Sequence, residues 1–132
     1  MYLLDSNVCI GLLNQKHSGI EKRFRQCAPA KITLCSIVKA ELLYGARHSQ
    51  YVEANLQRLK VFFEPLSSLP FDDRCAEIYA RIRQDLSIQG CLIGPNDLCI
   101  AATALANDVV LVTHNQKEFS RVAGLRLADW EN

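Results

Sequence analysis

The chain opens with Met1-Tyr2-Leu3-Leu4, an apolar run that stops at Asp5, and the pattern predicts a short buried strand over residues 1–4. Ser6 reads as the cap of a helix over 7–14, with Val8, Cys9, Leu12 and Leu13 apolar. A second helix is predicted over 20–27, closed by Pro29. Ile32-Thr33-Leu34-Cys35 predicts a strand, and Ser36 the N-cap of a helix reaching about residue 49. Val52, Leu56, Leu59 and Phe63 mark a helix over 51–63 ended by Pro65, followed by a short strand over 66–70. The clearest helix is capped by Asp72. Its Cys75, Ile78, Tyr79, Ile82 and Leu86 form one stripe at helical spacing, and Gly90 stops it. Residues 97–107 predict a helix apolar nearly all round, which implies burial on more than one side. Val109-Val110-Leu111-Val112-Thr113 is the strongest strand, and 125–127 is expected to form a last one.

Strands alternating with helices argue for an α/β fold with a mainly parallel central sheet and right-handed crossovers. With no linker or repeat in the sequence, residues 1–132 are expected to form one domain. An apolar share of 49% against 22% charged excludes a disordered chain. No apolar run is long enough to span a bilayer, and the start lacks the basic region of a signal peptide, so a cytoplasmic location is expected. The formal net charge of +1 excludes nucleic-acid binding by bulk attraction alone. Any such site is a local patch; Lys22-Arg23-Phe24-Arg25 is the densest candidate, and equally the pattern of a solvated helix face. The six cysteines form no CxxC pair, and His17, His48 and His114 do not stand at zinc-finger spacing from them. They read as reduced thiols acting as small hydrophobes.

Ligands of open parallel sheets bind at the carboxyl ends of the strands, which gives weight to the acidic residues expected there. Asp5 ends the first strand, and Asp97 falls in the first turn of the apolar helix. A helical wheel places Glu41 beside Ile37, Val38, Tyr44 and Gly45, opposite Lys39 and Ala46, on what reads as a core-facing stripe. A carboxylate there is costly unless paired or metal-bound. Asn115 and Glu118, just past the strand over 109–113, are further candidate ligands. Each has a bland alternative: Asp5 a turn residue, Asp97 a helix-dipole partner, Glu41 an ion pair with Arg47 or Lys39, Asn115 a turn residue, Glu118 a solvated charge. Three carboxylates gathered at one sheet end repel one another unless a cation intervenes. Oxygen ligands favour Mg²⁺ or Mn²⁺ over zinc, and such ions serve phosphate cleavage and transfer.

Leu3-Leu4-Asp5-Ser6-Asn7, Ser36-Ile37-Val38-Lys39-Ala40-Glu41-Leu42-Leu43-Tyr44-Gly45 and Ile93-Gly94-Pro95-Asn96-Asp97-Leu98-Cys99-Ile100-Ala101-Ala102 resemble the signature segments of the PIN-domain family. The tail, Leu111-Val112-Thr113-His114-Asn115-Gln116-Lys117-Glu118-Phe119 and then 125–130, is similar to its VapC toxin branch. The resemblance implies a three-layer α/β/α PIN-like domain and a Mg²⁺-dependent endoribonuclease, with Mn²⁺ able to substitute. It further implies the toxin of a type II toxin–antitoxin module, inhibiting translation by cutting structured RNA such as a tRNA anticodon stem-loop or an rRNA loop until a VapB-type antitoxin binds. The family's first three acids match Asp5, Glu41 and Asp97 as catalytic and metal-binding residues. A fourth position, often Asp in the family, falls on Asn115, a neutral and weaker ligand, which leaves one or two metals open and gives Glu118 a compensating role. Asn7 and Thr113 are expected to orient Asp5 and the metal's waters. RNA contacts are assigned to Lys22, Arg23, Arg25 or Arg47. A homodimer and a larger toxin–antitoxin assembly are the expected oligomers.

Three rival readings stand beside this one. A haloacid-dehalogenase-type phosphatase would need a second Asp two residues after Asp5, where the chain has Asn7. A catalytically silent PIN fold acting as a binding module is kept open by Asn115, and an RNA-processing PIN nuclease without antitoxin is the third. The apolar surplus on the helices between Ile37 and Phe63, including Leu42, Leu43, Val61 and Phe62, reads either as core or as a groove for an antitoxin helix.

Overall fold

A computed structural model describes residues 1–131. In chain order the elements are β1 (Tyr2–Leu4), α1 (Ser6–Leu13), α2 (Ser18–Gln26), a 3₁₀ turn at Pro29–Lys31, β2 (Ile32–Cys35), α3 (Ser36–Arg47), α4 (Val52–Phe63), β3 (Ser67–Leu69), α5 (Asp73–Ile88), α6 (Pro95–Ala106), β4 (Val110–Val112), α7 (Gln116–Phe119) and β5 (Leu127–Ala128). The five strands form one sheet in the order β3-β2-β1-β4-β5, and every pairing is parallel. The fold is therefore α/β with helices flanking a parallel sheet, as the alternation of elements predicts.

The sheet is built outward from β1. The first two crossovers step from β1 to β2 to β3 on one side; the chain then returns past β1 to lay down β4 and β5 on the other. Right-handed crossovers send α1–α4 to one face and α5–α7 to the other. The packing agrees: α1 lies on α2 and α3, α3 on α4, and α5 on α6. Leu3, Leu4, Leu34, Leu111 and Val112 are fully buried between these layers, as a parallel sheet covered on both faces requires. The nearly all-apolar α6 buries Leu98 and every residue from Ile100 to Ala104, which explains why its sequence lacks a polar face. Gly90, at φ +69°, takes the left-handed conformation that ends α5, with Cys91 N–H donating to Leu86 C=O at 2.9 Å.

Three predicted boundaries move for physical reasons. Asp5, not Ser6, caps α1, because its own carboxylate accepts from the Ser6 amide. α6 starts at Pro95 rather than Asp97, since proline lacks only an amide that the first turn leaves unpaired. The last strand is Leu127–Ala128, because Leu125 still closes a turn onto Val122 C=O. All six cysteines are free thiols, with Cys9, Cys35 and Cys75 buried; burial pushes the Cys35 thiol up to about 11, so it is inert at neutral pH. Among the described residues no helix is long and apolar enough to cross a membrane.

Candidate functional site

Strand order reverses between β1 and β4, and the residues that follow those two strands, Asp5 and Thr113, meet there. This is the place where an open parallel sheet leaves a crevice at its carboxyl edge. Asp5 is 6% exposed and held from three directions. Its backbone amide donates to Val112 C=O at 3.0 Å, its Oδ1 accepts from the Ser6 amide at 2.7 Å, and its Oδ2 accepts from the Thr113 hydroxyl at 2.8 Å. Thr113 Oγ1 in turn accepts from the Asn115 amide at 3.0 Å, which leaves the hydroxyl hydrogen free to point at Asp5. Burial raises the Asp5 carboxyl above its ordinary range; the Thr113 and Ser6 hydrogen bonds oppose this, and the charge of Glu41 adds to it.

Glu41 reaches the same place from α3, which meets α6 at this end of the sheet. Its Oε1 accepts from the Ser6 hydroxyl at 2.5 Å and its Oε2 from the Asn96 amide at 3.4 Å. The ion pairs offered as its bland alternative do not form: Lys39 lies over the Phe63 ring, 4.9 Å from its centre. The helical wheel is corrected in one respect. Val38, Leu42 and Ala46 carry the buried stripe of α3, whereas Tyr44 is 68% exposed, so Glu41 sits at the rim of the core rather than within it. Asp97 arrives from the first turn of α6, half-buried. Its carboxyl is raised to about 6 by burial and by the charges of Asp5, Glu41 and Glu118. The three sequence-selected acids thus converge, and Glu118 is near enough to be felt.

The structure redistributes the supporting residues. Asn7 lines the cleft, but the Asp5 carboxylate is held by Ser6 and Thr113 instead. Ser6 does two tasks, its amide to Asp5 and its hydroxyl to Glu41; in sequence it looks like an ordinary helix cap, which hid both. Asn96 was missed for the same reason, standing beside Asp97 in a helix start. Asn115 caps α7, its side-chain oxygen 3.5 Å from the Glu118 amide, and lines a cleft of about 350 Å³ with Asp5, Thr113, His17, His114 and Glu131. The nominated cations lie elsewhere. Lys22 and Arg25 border a separate shallow depression along α2, where Arg25 pairs with Glu21. Arg23 and Arg47 are exposed, and neither lines the clefts beside Asp5 and Glu41. Arg58 instead stands in a groove of about 280 Å³ between α1, α3 and α4 that Ile10, Leu13, Leu42 and Leu59 share with Glu41. Of the apolar surplus noted in the sequence, Leu42 is core and Phe62 stacks on Phe24, while Leu43 and Val61 face outward.

Carboxylates from three separate parts of the chain gather here, and among the described residues the two clefts beside Asp5 and Ser6 are lined by no lysine or arginine, Arg58 standing in the separate groove that Glu41 also lines. The all-oxygen donor set fits a hard divalent cation of the Mg²⁺ or Mn²⁺ kind, which would neutralise it.

A parallel sheet in this order, with acids at its strand reversal, defines a class: the chain belongs to the PIN domain family, which residues 2–125 match. Within that family it is similar to Ribonuclease VapC2 of Haemophilus influenzae, 40% identical over 98% of this chain and 97% of the relative. It is also 36% identical to the tRNA(fMet)-specific endonuclease VapC of Shigella flexneri, over 98% of this chain and 97% of that one. Its fold superposes on VapBC2 from Rickettsia felis, solved bound to a promoter DNA fragment, with a TM-score of 0.91, 36% identity and 98% coverage of both chains.

Proposed function

We propose that the chain is the toxin of a VapBC-type toxin–antitoxin pair: a Mg²⁺- or Mn²⁺-dependent endoribonuclease of the cytoplasm that stops translation by cutting structured RNA, a tRNA anticodon stem-loop or an rRNA loop. The observation that carries this reading is the convergence of Asp5, Glu41 and Asp97 at the strand reversal. Asp5 and Asp97 would hold the cation directly, with Glu41 binding it directly or through water. When bound, the cation supplies activation of a water nucleophile and neutralises charge on the phosphate. The chain's own groups provide the rest. Thr113 and the Ser6 amide fix both oxygens of Asp5, so the ligand does not rotate. Ser6 and Asn96 hold Glu41 in the same way. Water attacks phosphorus in line as the P–O3′ bond breaks, and products carry 5′-phosphate and 3′-hydroxyl ends. His114 is not required as a base; its Nδ1 faces Asp129 and Glu131.

The groove beside Glu41, apolar along Ile10, Leu13 and Leu59 with Arg58 at its wall, is the surface on which a VapB-type antitoxin segment would dock next to the acids. VapBC complexes among the relatives support this pairing, and a homodimer within a toxin–antitoxin assembly is the arrangement we adopt. The test is incubation of antitoxin-free protein with total RNA in Mg²⁺, Mn²⁺ or EDTA, beside an Asp5→Asn control, followed by end-mapping. Discrete EDTA-sensitive fragments with 5′-phosphate ends, absent from the control, are expected. Equal inertness of both proteins with cation binding demonstrated would replace the nuclease with a binding module.

Removing the hydroxyl that holds Asp5 tests the positioning argument. Thr113→Val keeps the side chain's shape, so the fold is retained, while Mn²⁺ affinity measured by calorimetry is expected to fall about 10- to 100-fold. An unchanged affinity would show that Thr113 does not orient the ligand.

A further inference from the structure

Beside the cleft that Asp5 and Thr113 line lies a second group of potential ligands, absorbed neither by the ribonuclease reading nor by the PIN acids. His114 Nδ1 is 3.1 Å from Asp129 Oδ2 and 2.8 Å from Glu131 Oε2, and the three ligand atoms lie within 4.8 Å of one another. His17 Nε2 is 3.2 Å from the other Glu131 oxygen. The two histidines are accessible, with side chains 63% and 46% exposed, whereas the two carboxylates are largely covered.

The chain builds this arrangement from parts distant in sequence. Trp130 is buried against the Tyr2 ring, 5.4 Å between centres, and anchors the segment that follows β5. The Glu131 amide donates back to Asp129 Oδ1 at 3.0 Å, a local turn that brings both carboxylates to one side. Gly19, in the first turn of α2, lets that segment pass close by: a Cβ there would stand 3.0 Å from the Trp130 carbonyl oxygen. His17 is thereby brought up to Glu131, and His114 follows Thr113 at the end of β4.

A single ring nitrogen facing two carboxylate oxygens is more acceptor than one N–H requires. The two separations from His114 Nδ1, 3.1 and 2.8 Å, are close to the edge of a coordination tetrahedron, about 3.3 Å around an ion with bonds of about 2.0–2.1 Å. One imidazole with two carboxylates suits a borderline transition cation rather than Mg²⁺. His17, bonded to the remaining Glu131 oxygen, is the supporting partner that metal-bound carboxylates commonly have. We propose that His114, Asp129 and Glu131 form a second divalent-cation site of the Zn²⁺ class, separate from the acidic trio, that clasps the segment after β5 onto the cleft wall. His114 and Glu131 line the same cleft as Asp5 and Asn115.

The experiment titrates Zn²⁺, and Co²⁺ as a spectroscopic stand-in, into the full-length chain in excess Mg²⁺, so that the oxygen-only acids are already engaged. Wild type and Asp97→Asn are each expected to take up one equivalent, with weak Co²⁺ d–d bands and no intense thiolate charge-transfer band. His114→Ala is expected to weaken that equivalent about 100-fold or more, and His17→Ala less. Because His114 is exposed, its variant is expected to fold, which circular dichroism checks. Zn²⁺ should raise the melting temperature of wild type and not of His114→Ala. The proposal is overturned by no Zn²⁺ uptake, which leaves an ion-pair cluster only. It is equally overturned by uptake that survives His114→Ala, that disappears with Asp97→Asn, or that shows thiolate bands from the free cysteines.

Discussion

Asp97→Asn is expected to lower RNA cleavage at least about 100-fold while making the cation-free protein more stable near pH 7. The two effects share one cause. Burial and the charges of Asp5, Glu41 and Glu118 raise the Asp97 carboxyl to about 6, so ionising it costs the folded state more than the unfolded one. The folded chain binds the extra proton between about pH 4 and 6; stability is highest below that window and is lost as pH rises through it. A shift of this size corresponds to about 3 kcal/mol at most, and half-exposure to solvent reduces it to about 1–2 kcal/mol. Asparagine has nothing to ionise, so in EDTA near pH 7 the variant should melt several degrees above wild type, with the difference closing near pH 4. Bound cation reverses the order, because wild type alone can hold it tightly. The same proton competes with the cation, so wild-type cation affinity should fall as pH drops through about 6. A variant that melted lower than wild type in EDTA, or that kept its activity, would remove Asp97 from the cluster.

The second large effect is structural. Phe119 ends α7, is fully buried, and ranks among the largest enclosed side chains in the molecule. Phe119→Ala is expected to cost about 3–5 kcal/mol, read as the midpoint shift in urea unfolding. Phe119→Leu, which keeps most of the volume, should cost about 1.5 kcal/mol or less. Because α7 carries Glu118 and is capped by Asn115, the alanine variant should also loosen that wall of the cleft. The RNA cleavage retained by each variant then reports how much Glu118 and Asn115 contribute to it. A loss below about 1 kcal/mol for alanine would mean that α7 is not packed as described.

Much of this arrangement is written in local sequence. Asp5 stops an apolar run, Asp97 opens an apolar helix, and both are features of single elements, as is the unbroken stripe of α5. Glu41 is harder to place: the wheel locates its face but assigns the buried stripe to Tyr44 rather than Ala46, because α3 packs on α1, α4 and α6 and leaves Leu43 and Tyr44 facing outward. What could not be read was anything made by two distant segments. Ser6 looks like a cap until Glu41, 35 residues on, approaches its hydroxyl. Asn96 meets Glu41 across 55 residues. His17, His114 and Glu131 have no shared motif, and only the close pass at Gly19 brings the tail to α2. For the basic residues the dense run 22–25 tells of exposure, which the structure shows, and carries no information about which cleft each side chain borders.

The 108 residues that separate Asp5 from Thr113 have a consequence in time. β1 is the centre of the sheet, yet its partner β4 is made only after every helix and strand that delivers one of the three acids. A chain emerging from the ribosome already carries Asp5, Glu41 and Asp97, but it lacks the strand that seats Asp5 and the tail that closes the cleft wall. The acidic cluster therefore cannot take its final form until β4 is in place, so the seat of Asp5 is made after all three acids it serves.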